Sequence, residues 1–585
     1  MPTLQWIGKD KVINHHQDVP LRVLDRTYSF DNSGEHVGDN GSENKIIHGD
    51  NLEALKALLP EYEGRVSCVY IDPPYNTGNE GWVYNDNVND PKIRKWIGEV
   101  VGAEGEDLSR HDKWLCMMYP RLRLLQKLLA DDGVIFISID DNECANLKLV
   151  SDEIFGMRCF VADICWQRTY SMRNDAKGVP AEVEHILVYS KKTDWQPEKL
   201  ERTESMDSKY KNPDNDPRGA WRNIVASAPN AVTHQGMVYA IQNPITGEYA
   251  YPPQGRCWSL GQDQMLEAMR QWCNYRLEDL HDYDSRAKIC NVSIQDVRKG
   301  VLGIVLDEDL ATAREKAESI LEQGPMPEFF FSRNGKGALS RKAYLMQMGG
   351  RPVTNFWPFE ETGHTDEASR LLKSMFGGTA VFDTPKPPRL IERILHILGN
   401  KDALILDSFA GSGTTAHAVL NANKVDGGSR SFILVEMMDY AESITAERVK
   451  RVIDGYGEGK KAVEGTGGSF SFYELGEPMF TEDGNLNEAV GTERIRAYVW
   501  YSETGRAYQP PEKANPYHLG NSNGTGYYFY YEPEALTTLD YSFLATITDK
   551  QHGYVIYADM CAISDDELAE FGIAYKKIPR DIARL

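Results

Sequence analysis

Residues 65–75 read RVSCVYIDPPY, an apolar run from Val66 to Ile71 that stops at an aspartate, two prolines and a tyrosine. So short an apolar run, closed by a Pro-Pro turn, reads as a strand buried on both faces, the kind that parallel sheets contain. Asp72-Pro73-Pro74-Tyr75 then falls at the carboxyl end of a strand, where open α/β sheets bind their ligands. Working outward, 45–47 reads as a short strand and 51–59 as a short helix. On the other side, 115–129 has helical apolar spacing, and GVIFISID (133–140) and HILVYSK (185–191) read as further buried strands. This alternation predicts an α/β sheet.

From about 200 to 350 the pattern degrades into Asn, Pro, Asp, Lys and aromatic residues, which suggests an inserted domain. α/β character returns with PRLIERILHIL, a helix opened by Pro388, then ALILD (403–407), a Gly-rich turn, a helix from about Thr415 and the strand SFILVE (431–436). The sheet is thus split in sequence. Residues 1–42 are polar and run into DNSGEHVGDNGSEN, which reads as an arm or linker. After VEGTGGS the composition turns aromatic, in GYYFYYEPE and HGYVIYADM, and SDDELAEFGI reads as a capped short helix. The expected organisation is an arm (1–42), a first half of the α/β core (43–198), an insert (199–350), a second half (351–462) and a separate C-terminal α+β domain (463–585).

A chain of 585 residues with 41% hydrophobic and 26% charged residues belongs with soluble globular proteins of several domains. No apolar stretch approaches the roughly 18 residues of a membrane helix, and the opening MPTLQWIGKD lacks the pattern of a secretion signal, so a cytoplasmic location and no membrane association are expected. The nine cysteines never fall at a CxxC spacing, so neither a zinc site nor a disulfide framework is indicated. A net charge of −23 argues against a nucleic-acid partner. The argument is blunted because the stretch from 465 onward carries 9 Lys and Arg against 18 Asp and Glu, placing part of the acidity away from Asp72.

The residue types in Asp72–Tyr75 suit one kind of chemistry. An exocyclic amine on a nucleobase is a poor nucleophile, and an enzyme must accept hydrogen bonds from its N–H groups as the nitrogen attacks. Asp72 offers a carboxylate, Pro73 a carbonyl held in direction by the rigid Pro73-Pro74 turn, and Tyr75 an aromatic face for a flipped-out base. The plainer alternative is a strand-ending turn with Asp72 capping backbone amides and Tyr75 in the core. The second element, Asp407-Ser408-Phe409-Ala410-Gly411-Ser412-Gly413-Thr414-Thr415, follows a strand and opens a helix. Without GxGxxG or GK[ST] it fits an adenosyl amino acid better than a phosphate. Glu436, ending the next strand, is placed to accept from ribose hydroxyls. His364 and the pair Asp140-Asp141 lack the HxH or HExxH spacing of a metal site, so they read as caps or local hydrogen bonds, and no metal is expected.

These elements resemble the β group of amino-methyltransferases acting on DNA, in which a DPPY element precedes a target-recognition insert and an FxGxGT element follows it. More closely, the chain resembles the modification subunit of type III restriction-modification systems, on the strength of IIHGDNLEAL, DPPYNTGN, ISIDDNE, EHILVYSK, TPKPPRLIERIL, FAGSGTT and SFILVEM. The resemblance covers about 45–200 and 350–455. It implies a Rossmann-like, circularly permuted sheet that uses S-adenosyl-L-methionine to methylate N6 of adenine in double-stranded DNA, with the insert reading the flanking sequence. It implies that Asp50 and Asn51 hold the adenine of the cofactor, that Lys386 and Pro387 lie against its methionine end, and that Asp407, Phe409, Ala410, Gly411, Gly413, Thr414 and Glu436 line the rest. Considered singly, Asp50 reads as a helix N-cap and Lys386 as a solvated surface charge. Cytosine N4 presents similar amine chemistry. A solitary methyltransferase, a protein or RNA methyltransferase on the same sheet and a non-catalytic recognition subunit are the other readings. The acidic, tyrosine-rich C-terminal part suits a protein interface, with a second copy in a homodimer or with a restriction helicase-nuclease subunit.

Overall fold

Eleven strands form one sheet: β1 (Arg22–Asp31), β2 (Gly34–His36), β3 (Lys45–His48), β4 (Val66–Ile71), β5 (Leu129–Ile139), β6 (Phe160–Gln167), β7 (Val183–Ser190), β8 (Phe356–Trp357), β9 (Leu404–Asp407), β10 (Ser431–Glu436) and β11 (Ser469–Pro478). They are ordered β8-β6-β7-β5-β4-β9-β10-β3-β11-β1-β2 in this computed structural model, which describes residues 4–77, 95, 99, 110–170, 179–481, 483–506, 508–510 and 515–582. The central run from β5 to β11 is parallel, and β7 runs antiparallel between β5 and β6. The split core is rejoined where β9 pairs in parallel with β4, Leu406 opposite Val69, so that Asp72 and Asp407 stand at the carboxyl ends of neighbouring strands. Burial explains why these strands read as unbroken apolar runs: Val69, Ile71, Ile405, Leu406, Ile433 and Val435 are all fully covered.

Helices α1 (Asn51–Tyr62), α2 (Arg110–Leu128), α3 (Cys144–Ile154), α4 (Pro388–Leu398), α5 (Thr414–Asp426) and α6 (Glu447–Asp454) belong to the same unit as the sheet. In α2, Trp114, Met118, Leu122 and Leu125 recur at helical spacing and are buried in the main core. Among the described residues no helix is long and apolar enough to cross a membrane.

Two expectations are corrected. Residues 1–42 are not an arm, because β1 pairs along its length with β11, Tyr28 opposite Phe472 and Phe30 opposite Phe470. The Gly/Asn/Ser-rich stretch read as a linker is in part the hairpin between β1 and β2, where Gly34 takes a φ of 104° that favours glycine. The C-terminal part does not begin as a separate domain at 463, since β11 lies inside the main sheet. The strands His518–Ser522, Thr525–Phe529, Gly553–Ala558 and Ile573–Lys577 make their own four-stranded sheet. The core beneath it joins Val499, Leu519, Phe529 and Tyr557 to Leu21 and Val23 from the start of the chain.

The chain divides into two compact units, Met1–Glu198 with Val353–Leu585, and Lys199–Pro352. The second unit has its own core, in which Trp221, Trp258, Trp272 and Phe329 to Phe331 pack together. Its two ends meet, because Leu200 and Arg351, one residue in from each, exchange backbone hydrogen bonds of 2.9 and 2.8 Å.

Candidate active site

Asp72 follows the last residue of β4, and Pro73 and Pro74 end the strand there because neither supplies an N–H for the ladder. The turn is held from outside: the Trp114 indole donates to the Pro74 carbonyl at 2.6 Å. Asn76, at a φ of 59°, donates to the Arg110 carbonyl at 3.1 Å and to Glu143. Tyr75 folds back so that its hydroxyl lies 2.9 Å from Asp72 Oδ1 and 3.0 Å from Glu184 Oε2, and its single proton serves one of them at a time.

Lys386, reaching in from the segment before α4, places Nζ 2.8 Å from both Asp72 oxygens and 2.8 Å from the Tyr75 hydroxyl. The same ammonium is 3.4 Å from Glu184 Oε2 and lies over the Tyr75 ring at 4.9 Å. Arg168 completes the row, donating to Glu184 Oε1 at 2.7 Å. The charges alternate, Arg168, Glu184, Lys386, Asp72, so the three buried groups are each faced by an opposite charge, with the partly exposed Arg168 at the outer end of the row. Burial lifts Asp72 above the usual carboxylate range, further than the facing Lys386 ammonium pulls it down. Burial also works against Lys386, but the charges of Asp72 and Glu184 outweigh it and hold the ammonium above its ordinary value. Glu184 is likewise opposed by burial and is pulled below its ordinary value by Lys386 and then Arg168.

A cleft runs from Asp72 and Lys386 along Phe382 and Thr384 to Asp407, Phe409, Ala410, Gly411, Ser412 and Thr414. Gly411 and Gly413 take φ values of 53° and 78°, and a Cβ at Gly413 would meet the Thr445 carbonyl at 3.0 Å, so glycine is what lets this loop pass. Asp407 is buried and accepts from the Phe409 amide at 3.0 Å and from the Thr415 hydroxyl at 2.5 Å. Glu436 accepts from the amides of Gly411 at 2.8 Å and Met438 at 2.9 Å. Burial pushes both carboxyl groups up to about 7. From the other half of the sequence, Asp50 caps α1 and Asn51 donates to the Ser408 carbonyl at 3.2 Å. Buried Arg121 ties the pair down, 2.5 Å from Asn51 Oδ1 and 3.5 Å from Asp50 Oδ2.

The structure therefore brings Asp72, Tyr75 and Lys386 together, and gathers Asp50, Asn51, Asp407, Gly411 and Glu436 around the loop beyond them. Lys386 is no solvated surface charge. Asp50 is an N-cap and more, because Arg121 reaches it. Pro387, the residue between Lys386 and the first residue of α4, lies outside the cleft lining. His364 caps the helix Thr365–Met375, accepting from the Glu367 amide at 3.2 Å. Sequence reasoning assigned no role to Glu184, Arg168 or Arg448. The last is buried and donates to the Ser412 and Thr414 hydroxyls at 2.7 Å each, holding the loop from behind. Glu184 had one signal: an acid inside the strand that reads EHILVYSK.

Comparison with known families matches residues 66–447 to the model described as DNA methylase. The Mod subunit of the type III restriction-modification enzyme StyLTI from Salmonella typhimurium is 32% identical over 443 residues, which are 74% of this chain; the chain spans 57% of that relative's length. The type II methyltransferase M.KpnI from Klebsiella pneumoniae is 31% identical over 402 residues, 68% of this chain and 81% of that protein. Among solved structures, a putative DNA modification methylase from Thermus thermophilus, complexed with S-adenosyl-L-methionine, aligns at 12% identity with a TM-score of 0.30, covering 74% of this chain and 99% of that one.

Proposed function

Because this chain belongs to the DNA methylase family, we propose that it transfers a methyl group from S-adenosyl-L-methionine to N6 of adenine in double-stranded DNA, as the modification subunit of a type III restriction-modification system. The observation that carries the reading is the Asp72 carboxylate, buried at the end of a parallel strand and opening on the cleft beside the glycine loop. The relatives named Mod subunits supply the type III assignment.

The cleft fits the cofactor by its chemistry. Its ionisable groups are carboxylates, with Lys386 already neutralised by Asp72 and Glu184, so it suits a cationic adenosyl amino acid and not a phosphate. Asp50 and Asn51 would hold the adenine, Glu436 the ribose hydroxyls, and Asp407, Phe409, Ala410, Gly411, Gly413 and Thr414 the remainder. Bound there, the cofactor supplies a methyl group on a sulfonium, an already activated donor. The protein positions the target amine, and positioning alone is worth roughly 7–11 kcal/mol. Asp72 accepts an N–H hydrogen bond from the amine of a base flipped out of the duplex, the Pro73 carbonyl accepts the second, and the Tyr75 ring flanks the base. Lys386 keeps Asp72 ionised in its buried position, and Glu184 gives that ammonium a second carboxylate to lean on as the base arrives.

The unit Lys199–Pro352 reads the flanking sequence. A second copy of the chain and a helicase-nuclease subunit are the proposed protein partners, and the cytoplasm is the proposed compartment. The test expresses wild type and Asp72→Ala in a methylation-free bacterial host and sequences the genomic DNA with a method that reports modified bases. N6-methyladenine in one fixed context, on one strand, absent from the variant while cofactor binding persists, is the expected result. N4-methylcytosine would overturn the adenine assignment, and an unmethylated genome with soluble, cofactor-binding wild type would overturn the catalytic one.

A further inference from the structure

Away from the cleft, three segments of the main unit bring metal-binding side chains together. His185 lies on β7 directly after Glu184, and successive strand residues point to opposite faces, so His185 faces away from the active site. Its Nδ1 is 2.9 Å from Asp163 Oδ1 on β6, and its Nε2 is 3.1 Å from Asp141 Oδ1 in the turn after β5. Cys144, the first residue of α3, completes the group: its sulfur, an Asp163 oxygen and a His185 nitrogen lie within 4.8 Å of one another.

We propose that Cys144, Asp163 and His185 bind one zinc-class divalent ion, with Asp141 orienting the imidazole. The donor set selects the metal: a thiolate with an imidazole and a carboxylate suits zinc and its neighbours, while calcium and magnesium take oxygen alone. Asp141 on Nε2 leaves Nδ1 as the ligand, the carboxylate-histidine-metal relay in which an outer carboxylate fixes the tautomer and raises ligand basicity. Cys144 sits where the α3 dipole favours an anion. All three ligands are only half-buried, which leaves the fourth position of a tetrahedral site to water. The ion ties the start of α3 to β6 and β7, and the far side of β7 carries Glu184. The proposal does not rest on the methylation reading. The sequence hid the group because its ligands lie on three elements with no short spacing between them.

The test titrates the full-length chain, stripped by a chelator, with Co2+ and then with Zn2+ against a chromophoric chelator. One equivalent of Co2+ should give a near-ultraviolet thiolate-to-cobalt band, displaced by one equivalent of Zn2+, with release of protons on binding. Cys144→Ser should lose the band. Asp141 is 76% exposed, so Asp141→Asn leaves the fold intact and should weaken Zn2+ binding about 10- to 100-fold. Absence of stoichiometric uptake by folded wild type, or equal uptake by wild type, Cys144→Ser and Asp141→Asn, overturns the proposal.

Discussion

Removing Lys386 would take away the ammonium that stands between the buried Asp72 and Glu184 carboxylates, leaving Arg168 paired with Glu184. Two such carboxylates do not both stay ionised, so one takes a proton. Asp72 already lies above the ordinary carboxylate range through burial, and it is the stronger acceptor when ionised, with both oxygens free to accept, so methylation falls as pH drops through its value. In Lys386→Met that acid limb should move to higher pH, and the rate at neutral pH should fall by about 10²- to 10³-fold, the scale of losing one acceptor in such a site. A pH-rate profile of the variant superimposable on wild type would contradict this role. Glu436 makes the second residue-scale case. Its carboxyl is pushed up to about 7, so the folded chain holds the proton more tightly than the unfolded one. Fold stability from this group therefore falls as pH rises from the ordinary carboxylate value to about 7. The ribose hydroxyls donate more strongly to the ionised form, so affinity for S-adenosyl-L-methionine should rise, by up to about tenfold, between pH 6 and 8. Calorimetry giving the same affinity at both pH values would remove Glu436 from the ribose.

At the scale of elements, β1 decides how the sheet ends. Its Tyr28 ring stacks on Phe472 at 5.2 Å, and Ser29 and Ser471 share a buried hydrogen bond of 2.8 Å. Tyr28→Ala should cost about 3–5 kcal/mol, the usual toll of removing a buried aromatic ring, read as a lower urea midpoint with the slope unchanged. A chain lacking residues 1–42 that unfolded at the wild-type midpoint would show β1 to be dispensable. The same strand shows which elements were legible. β4, β9 and β10 are covered on both faces, so they stand out as apolar runs. β1 reads RVLDRTYSFD, alternating and charged because it lies next to the sheet's edge, and its partner β11 is more than four hundred residues away in sequence. The active site divides the same way. Asp72 and Tyr75 share one tetrapeptide whose chemistry can be read locally. Glu184 and Arg168 acquire meaning only when β6 and β7 pair, Trp166 opposite Glu184, a register that no local pattern announces.

For the whole molecule, the question is whether sequence recognition and methyl transfer reside in separable bodies. Lys199–Pro352 has a core of its own, including the buried ion cluster in which Lys342 lies 2.5 Å from Asp214 and 2.7 Å from Asp216. The rest of the chain keeps the sheet, the cleft and the row from Arg168 to Asp72. Since the main chains of Leu200 and Arg351 are hydrogen-bonded to each other, the insertion begins and ends at one place, and a short glycine-rich linker closes the gap at little entropic cost. A chain with that linker in place of 200–351 should fold and bind S-adenosyl-L-methionine with wild-type affinity. It should place no methyl groups in the wild-type sequence context when expressed in the methylation-free host. The excised unit should unfold in one cooperative transition of its own. If the shortened chain still marked the same context, target reading would belong to the sheet unit, and if neither piece folded, the two units would be one body thermodynamically.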